Sequence, residues 1–101
     1  MEVKKSFKEI IASEQPVLVD FFATWCGPCK AMNPVVKELA QEMSGSAKVI
    51  KIDIDKNQQA AMQYGVRAVP TFMIFKEGEV VWQHTGGTSL INLKQAVSRF
   101  A

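Results

Sequence analysis

The chain has 101 residues, a net charge of +2, and hydrophobic and charged fractions of 48% and 22%. This length predicts a single domain spanning residues 1–101, and the mild charge argues against binding to nucleic acid. No apolar run approaches the roughly 20 residues of a transmembrane helix, and the first residues lack the apolar segment of a signal peptide. We therefore expect a cytoplasmic protein with no membrane association.

The first predicted helix begins after Ser6. Ser6 and Glu9 have the spacing of a capping box, and the apolar residues that follow recur as on one helical face. Pro16 ends this segment. Because only residues 1–5 precede the helix, we expect any earlier strand to be very short or absent. The strand that begins near Val49 would then lie at an exposed edge of the sheet.

The middle of the chain predicts a strand, a long helix and a second strand. The nearly continuous apolar run at residues 17–22 is typical of a strand that is covered on both faces. After Cys29, apolar residues recur at the spacing of one helical face and stop near Gly45, with Pro34 inside the helix. Isoleucines alternate with charged residues at 49–55, which predicts the second strand.

The C-terminal part predicts a short helix at residues 57–64, then an antiparallel hairpin of strands 71–75 and 80–85 with a four-residue connection. Thr88 or Ser89 caps a last amphipathic helix. The two earlier strands flank a long helix, so they should pair in parallel. The predicted fold is α/β, with one mixed sheet of four or five strands and helices on both faces.

The long helix opens with the two cysteines of the chain, in the sequence Trp-Cys-Gly-Pro-Cys-Lys. Cys26 and Cys29 are three positions apart, so their Cα atoms can lie within the roughly 4.4–6.8 Å that a disulfide requires. The free N–H groups and positive dipole at a helix start favour a thiolate, and Cys26 is the better placed of the two. Gly27 leaves room beside Cys26 for a partner disulfide, and Pro28 gives up no hydrogen bond in a first turn. The pattern favours a redox-active pair.

Three other interpretations of the cysteine pair are weaker. A structural zinc site needs four ligands, and the chain offers two cysteines and one histidine. A purely structural disulfide across so short a loop would remove little entropy from the unfolded chain. Inert buried thiols do not suit a turn that is flanked by Trp25 and Lys30.

Asp20 interrupts the apolar run of the first strand. A buried carboxylate without a partner is costly and has a raised pKa, which is one mark of a functional site. Alternatively, Asp20 lies at a wet strand edge or pairs with a lysine for structure alone. The residues by themselves leave both interpretations open.

The stretch at residues 19–30, Val-Asp-Phe-Phe-Ala-Thr-Trp-Cys-Gly-Pro-Cys-Lys, is similar to the active-site signature of the thioredoxin family. Val69-Pro70-Thr71 resembles the family's proline loop, and Gly78 and Gly86 stand where the family keeps glycines. The resemblance covers the chain from Ser6 onward. It implies one thioredoxin domain with the thioredoxin fold, which reduces disulfides in protein substrates by dithiol–disulfide exchange.

The resemblance also implies roles for individual residues. Cys26 is expected to be the exposed nucleophile and Cys29 the buried resolving thiol, with a disulfide between them in the oxidised state. Asp20 is expected to take the proton of Cys29 through water, and Lys51 to lie near Asp20 and tune it. Pro70 is expected to be cis and to face the cysteines. The expected substrate surface consists of Trp25, Gly27, Pro28, Ile54, Val69, Pro70, Thr85 and Gly86.

The expected partners are disulfide-containing proteins and a thioredoxin reductase that restores the dithiol. We expect a monomer with no cofactor and no metal. Two rival functions use the same fold. One is a disulfide oxidase or isomerase, against which the Gly27-Pro28 pair argues by resemblance. The other is a non-redox binding subunit of another enzyme, for which a variant without either cysteine would still work.

Four features depart from the family pattern. Phe22 replaces a tryptophan that many thioredoxins carry, which should change packing behind the site but not its chemistry. Thr85 replaces a commonly apolar residue and makes the substrate surface slightly more polar. Asn33, before Pro34, is unusual, and the segment before Ser6 is short.

Overall fold

The computed structural model describes residues 6–101. The elements in chain order are α1 Phe7–Ile11, β1 Val17–Phe22, α2 Gly27–Glu42, β2 Lys48–Asp53, α3 Gln58–Gln63, β3 Thr71–Lys76, β4 Glu79–Thr85 and α4 Leu90–Ser98. Their type and order are those that the sequence predicts. The expected short or absent first strand falls on residues 1–5, which lie outside the described residues.

The four strands form one mixed sheet in the order β2-β1-β3-β4. β1 pairs in parallel with β2, and antiparallel with β3, which continues into β4 as a hairpin. The central strands β1 and β3 are buried along nearly their whole length, as their apolar runs predict. Among the strands of residues 6–101, β2 lies at one edge of the sheet.

Helices cover both faces of the sheet. On one face, a cluster that includes Leu18 of β1, Val36 of α2 and Leu93 of α4 forms the larger core. On the other face, α1 and the segment after α3 pack on a second core that includes Val19 and Phe21. Side chains alternate between faces along a strand, so β1 contributes to both cores. The sheet therefore separates two hydrophobic cores, one on each of its faces.

The helix caps follow the sequence signals. The hydroxyl oxygen of Ser6 accepts the N–H of Glu9 at 3.2 Å, and the same hydroxyl donates to the Glu9 carboxylate at 3.1 Å. Ser89, rather than Thr88, is the cap of α4, since its hydroxyl oxygen accepts the N–H of Asn92 at 3.2 Å. In the described part of the chain, each helix is too short or too polar to cross a bilayer.

Two element boundaries differ from the prediction because of turn chemistry. β2 ends at Asp53 because the Asp53 carboxylate accepts the N–H groups of Asp55 and Lys56, at 2.9 and 3.4 Å, and turns the chain. The hairpin turn has two residues rather than four. Glu77 and Gly78 have φ values of 53° and 85°, and two successive positive φ values give the tight turn that matches the twist of the strands.

Candidate active site

The cysteine pair lies at the start of α2, directly beyond the end of β1. Cys26 is the N-cap of α2, and its sulfur accepts the N–H of Cys29 at 3.1 Å. The two residues form a disulfide with a Cα–Cα distance of 5.2 Å, inside the range that such a bond requires. The disulfide pairing expected from the sequence is confirmed.

Both cysteines are buried in the disulfide form, with exposed fractions of 4% for Cys26 and 3% for Cys29. They pack on Ala23, and the half-buried side chains of Phe22, Ile54 and Val69 pack against this cluster. The expectation of an exposed Cys26 is therefore wrong for the oxidised protein. The cause is tertiary packing, because Ile54 and Val69 are distant in the sequence from the cysteines that they pack against.

The loop before β3 brings a proline beside the cysteines. The Val69–Pro70 peptide bond is cis, as expected, and the Val69 carbonyl oxygen lies 3.6 Å from the sulfur of Cys26. The N–H of Gly86 donates to the Pro70 carbonyl at 2.8 Å and ties this loop to the end of β4. Gly86 has a φ of 96°, a conformation that favours glycine. Pro70 itself is buried, so it contributes less to the surface than expected.

Trp25 is the most prominent part of the expected substrate surface, with 68% of its side chain exposed. Its indole N–H donates to the Asp55 carboxylate at 2.9 Å, which holds the ring in place. Asp55 is a site residue that the sequence analysis missed, since no local pattern links it to a tryptophan 30 positions away. Of the remaining surface residues, the exposed ones are Gly27, Pro28 and Thr85, and the half-buried ones are Ile54, Val69 and Gly86.

Asp20 is 1% exposed, and neither of its carboxylate oxygens has a hydrogen-bond partner among the described residues. Burial raises the pKa of Asp20 from 3.8 to about 6, and the charge of Lys51 offsets part of that effect. Lys51 is the neighbour of Asp20 on β2, but the two do not form an ion pair. Asp20 therefore lies neither at a wet edge nor in a structural lysine pair.

The ammonium of Lys51 has two other contacts. It donates to the side-chain oxygen of Asn33 at 2.8 Å and lies 4.5 Å from the centre of the Phe22 ring. These groups line a cavity of about 260 Å³, whose lining residues are Phe22, Ala23, Thr24, Cys29, Lys30, Asn33 and Lys51. The structure thus joins Cys29 and Lys51 in one cavity. It adds Asn33, which the sequence marked only as unusual.

Other candidate ligands lie in structural roles. Within residues 6–101, no three His, Cys, Asp or Glu side chains converge as a metal site would require. The ring of His84 stacks on Trp82, with 6.1 Å between ring centres, and Trp82 packs on the larger core.

Comparison with known proteins agrees with this geometry. The thioredoxin family profile matches residues 1–99. Thioredoxin 1 of Nostoc sp. is 47% identical over 92 residues, which cover 91% of this chain and 86% of the relative. The thioredoxin of Bacillus subtilis is 47% identical over 87 residues, covering 86% and 84%.

A solved structure, that of the Malassezia sympodialis thioredoxin, superposes with a TM-score of 0.85 at 34% identity and covers 93% of this chain and 82% of that one. The likeness therefore extends from the sequence to the arrangement of the sheet and its helices. Over so much of its length, and with the cysteine pair in place at the start of α2, the chain belongs to the thioredoxin family.

Proposed function

We propose that the two cysteines have different roles in thiol–disulfide exchange. The protein is a thiol–disulfide oxidoreductase that reduces disulfides in other proteins. We assign Cys26 as the attacking nucleophile and Cys29 as the resolving thiol. The observation that carries this assignment is the position of Cys26 at the N-cap, where its sulfur accepts the N–H of Cys29 at 3.1 Å. That hydrogen bond and the helix dipole stabilise a thiolate at Cys26.

The reaction proceeds in two exchanges. The Cys26 thiolate attacks one sulfur of the substrate disulfide, forms a mixed disulfide and releases the other substrate sulfur as a thiolate. Cys29 loses its proton and attacks the sulfur of Cys26, which releases the second substrate thiolate and leaves the Cys26–Cys29 disulfide. Two electrons have then passed from the protein to the substrate. A thioredoxin reductase must return two electrons to the pair before the next cycle.

Asp20 is the proposed acceptor for the proton of Cys29. By the alternation of β1, Asp20 lies on the same side of the sheet as α2, which carries Cys29. Within residues 6–101 its carboxylate has no hydrogen-bond partner to stabilise the charge, and a pKa of about 6 suits a base that works near neutral pH. Lys51 lines the cavity with Cys29 and lowers the pKa of Asp20. Its charge therefore acts on the site from the β2 side.

Protein substrates dock on the surface around Trp25. The surface combines an exposed aromatic ring, small residues beside the disulfide and apolar side chains over it, so it suits an extended segment around a substrate disulfide. Its proposed members are Trp25, Gly27, Pro28, Ile54, Val69, Pro70, Thr85 and Gly86. We infer that the protein acts as a monomer, and in the cytoplasm, where thiols are kept reduced.

The test of the proton acceptor is the rate at which the mixed disulfide is resolved. Asp20→Asn should slow resolution near neutral pH, and the difference should fade towards about pH 9, where Cys29 ionises unaided. The control is Glu42→Gln, which changes a surface carboxylate that pairs with Lys94 at 3.0 Å. Equal rates for Asp20→Asn and the unchanged protein across this pH range would exclude the role.

A redox titration against glutathione tests the direction of electron flow. For thioredoxin in general the potential is about −270 mV, and we expect a value near it. A potential near that of the oxidising enzymes, about −120 mV, would instead favour the oxidase alternative.

A further inference from the structure

Lys51 is held by two elements besides its own strand. Its ammonium donates to the side-chain oxygen of Asn33 on α2 at 2.8 Å and lies 4.5 Å from the ring centre of Phe22 at the end of β1. A surface lysine ordinarily keeps its long side chain mobile in water, because fixing it costs rotamer entropy. The amide oxygen and the aromatic face together offset that cost.

These contacts bring the charge over the active-site cavity. Lys51, Asn33 and Phe22 line the cavity of about 260 Å³ that also reaches Cys29. Asp20 and Lys51 are register partners on β1 and β2. Lys51 is two positions from Val49, which packs on the α2 side of the sheet, so Lys51 lies on that side too, as Asp20 does.

Asn33 suits this task chemically. A neutral amide oxygen accepts a hydrogen bond from the ammonium without cancelling its positive charge, as a carboxylate would. Asn33 is exposed, and alanine would be the better helix former there, so neither burial nor helix propensity explains the asparagine. The hydrogen bond that its side-chain oxygen accepts from Lys51 explains it.

We propose that Asn33 is a positioning residue, which holds the Lys51 ammonium over the cavity so that its charge acts on Asp20 and Cys29. The inference rests on the proposed function of these residues. Without the amide oxygen, the Lys51 side chain would spend more time in water, where its field is screened.

Few other groups act on Asp20. From β2 the charged neighbour is Lys51, and from β3 the register partner is the apolar Phe72. From α2, Cys29 lines the same cavity as Lys51. Lys30 also lines this cavity, so it is a second nearby cation. In the oxidised protein Cys29 is in the disulfide and does not titrate.

The experiment follows the titration of the Asp20 side-chain carboxyl by ¹³C NMR in the oxidised protein, with Asp20→Asn to assign the signal. Lys51→Met should raise the midpoint by about one pH unit, since a nearby opposite charge is worth about one to three units. Asn33→Ala should also raise the midpoint of the Asp20 titration, by about half as much as Lys51→Met. Gln41→Ala, an exposed amide further along α2, is the matched control and should leave the midpoint unchanged.

The double variant decides whether Asn33 acts through Lys51. In the Lys51→Met background, Asn33→Ala should have no further effect. An unchanged or lowered midpoint in Asn33→Ala, or a full additional shift in the double variant, overturns the proposal.

The titration requires no turnover, so the positioning role of Asn33 is tested independently of the proposed function. If Asn33→Ala leaves the midpoint unchanged while Asp20→Asn slows resolution, the positioning role is wrong and the proton acceptor stands. If Asn33→Ala raises the midpoint while Asp20→Asn resolves at the normal rate, the positioning role stands and the acceptor is wrong.

Discussion

Alternate residues of β1 face two different environments. Val19 and Phe21 enter a core in which the rings of Phe7, Tyr64 and Phe75 meet edge to face, with ring centres 5.0 to 5.9 Å apart. Asp20 lies between them in sequence and points to the other side, where its carboxylate has no partner among the described residues. One face of the strand is satisfied by packing, and the other carries a buried charge that packing does not satisfy.

The two faces of β1 have opposite effects on the free energy of unfolding. Edge-to-face aromatic pairs add about 0.5–1.5 kcal/mol each beyond the area that they bury. A carboxyl whose pKa is raised by roughly two units instead lowers the stability of the folded state when it ionises. Substitutions among the aromatic residues are therefore expected to change stability and not reactivity, whereas substitution of Asp20 is expected to change reactivity and, in the opposite direction, stability. Four predictions test this division, beginning with the largest effect.

Loss of either cysteine should abolish turnover, but the two variants should fail differently. Cys29→Ser keeps the nucleophile at the N-cap and cannot resolve the adduct, so it should accumulate stable mixed disulfides with disulfide-bonded proteins. Cys26→Ser should accumulate almost none, since its remaining thiol lies one turn further into α2. Intact mass after exposure to such a protein measures the adduct. Equal trapping by both variants would reverse or remove the assignment of nucleophile and resolver.

Phe75→Ala should lower the free energy of unfolding by about 3–5 kcal/mol. The side chain is fully buried and contacts the rings of Phe7 and Tyr64 on the aromatic face. Denaturant unfolding measures the loss, with Val80→Ala, a 39% exposed position, as the control of small effect. The rate of disulfide reduction per folded molecule should stay close to normal. A large fall in that rate would show that the two faces are coupled.

Asp20→Asn should change stability in the opposite direction, and in a pH-dependent way. The folded-state pKa of about 6 exceeds the ordinary value of 3.8, so the acid form favours folding below about pH 4. That contribution is lost as the pH rises through 6. The variant should therefore gain about 2 kcal/mol relative to the unchanged oxidised protein between pH 4 and pH 8. Unfolding in denaturant at both pH values measures it, and a difference that does not vary with pH would contradict the buried charge.

Asp55→Ala should have the smallest effect. It removes the hydrogen bond that holds the exposed Trp25 ring, and one such bond contributes about 0.5–1.5 kcal/mol. We expect the KM for protein disulfides to rise about two- to threefold. Reaction with a small aromatic disulfide, which does not need the docking surface, is the internal control. An equal slowing of both reactions would place Asp55 in the chemistry instead.

Much of the fold follows from local patterns. The capping box at Ser6, the apolar run of β1 and the spacing of the cysteines each depend on residues that are close in sequence, so their geometry is set within one element. The wrong boundaries arose at turns: the Asp53 side chain ends β2 early, and the positive φ values of Glu77 and Gly78 give a tighter turn, so that β3 and β4 are each one residue longer than predicted. Such turn chemistry competes with strand periodicity and is weaker in the sequence.

The site divides in the same way. The sequence by itself predicted the redox-active cysteine pair at a helix start and a carboxyl within an apolar strand, while the roles of Asp20 and Pro70 came from the resemblance to the thioredoxin family. Only the tertiary structure decided that Ile54 and Val69 pack against the disulfide, that Asp20 has no hydrogen-bond partner within residues 6–101, and that Asn33 binds Lys51. Those contacts join separate elements and depend on the order and register of the strands. Local propensity carries no information about such pairings, because their free energy is gained only after the distant segments have packed.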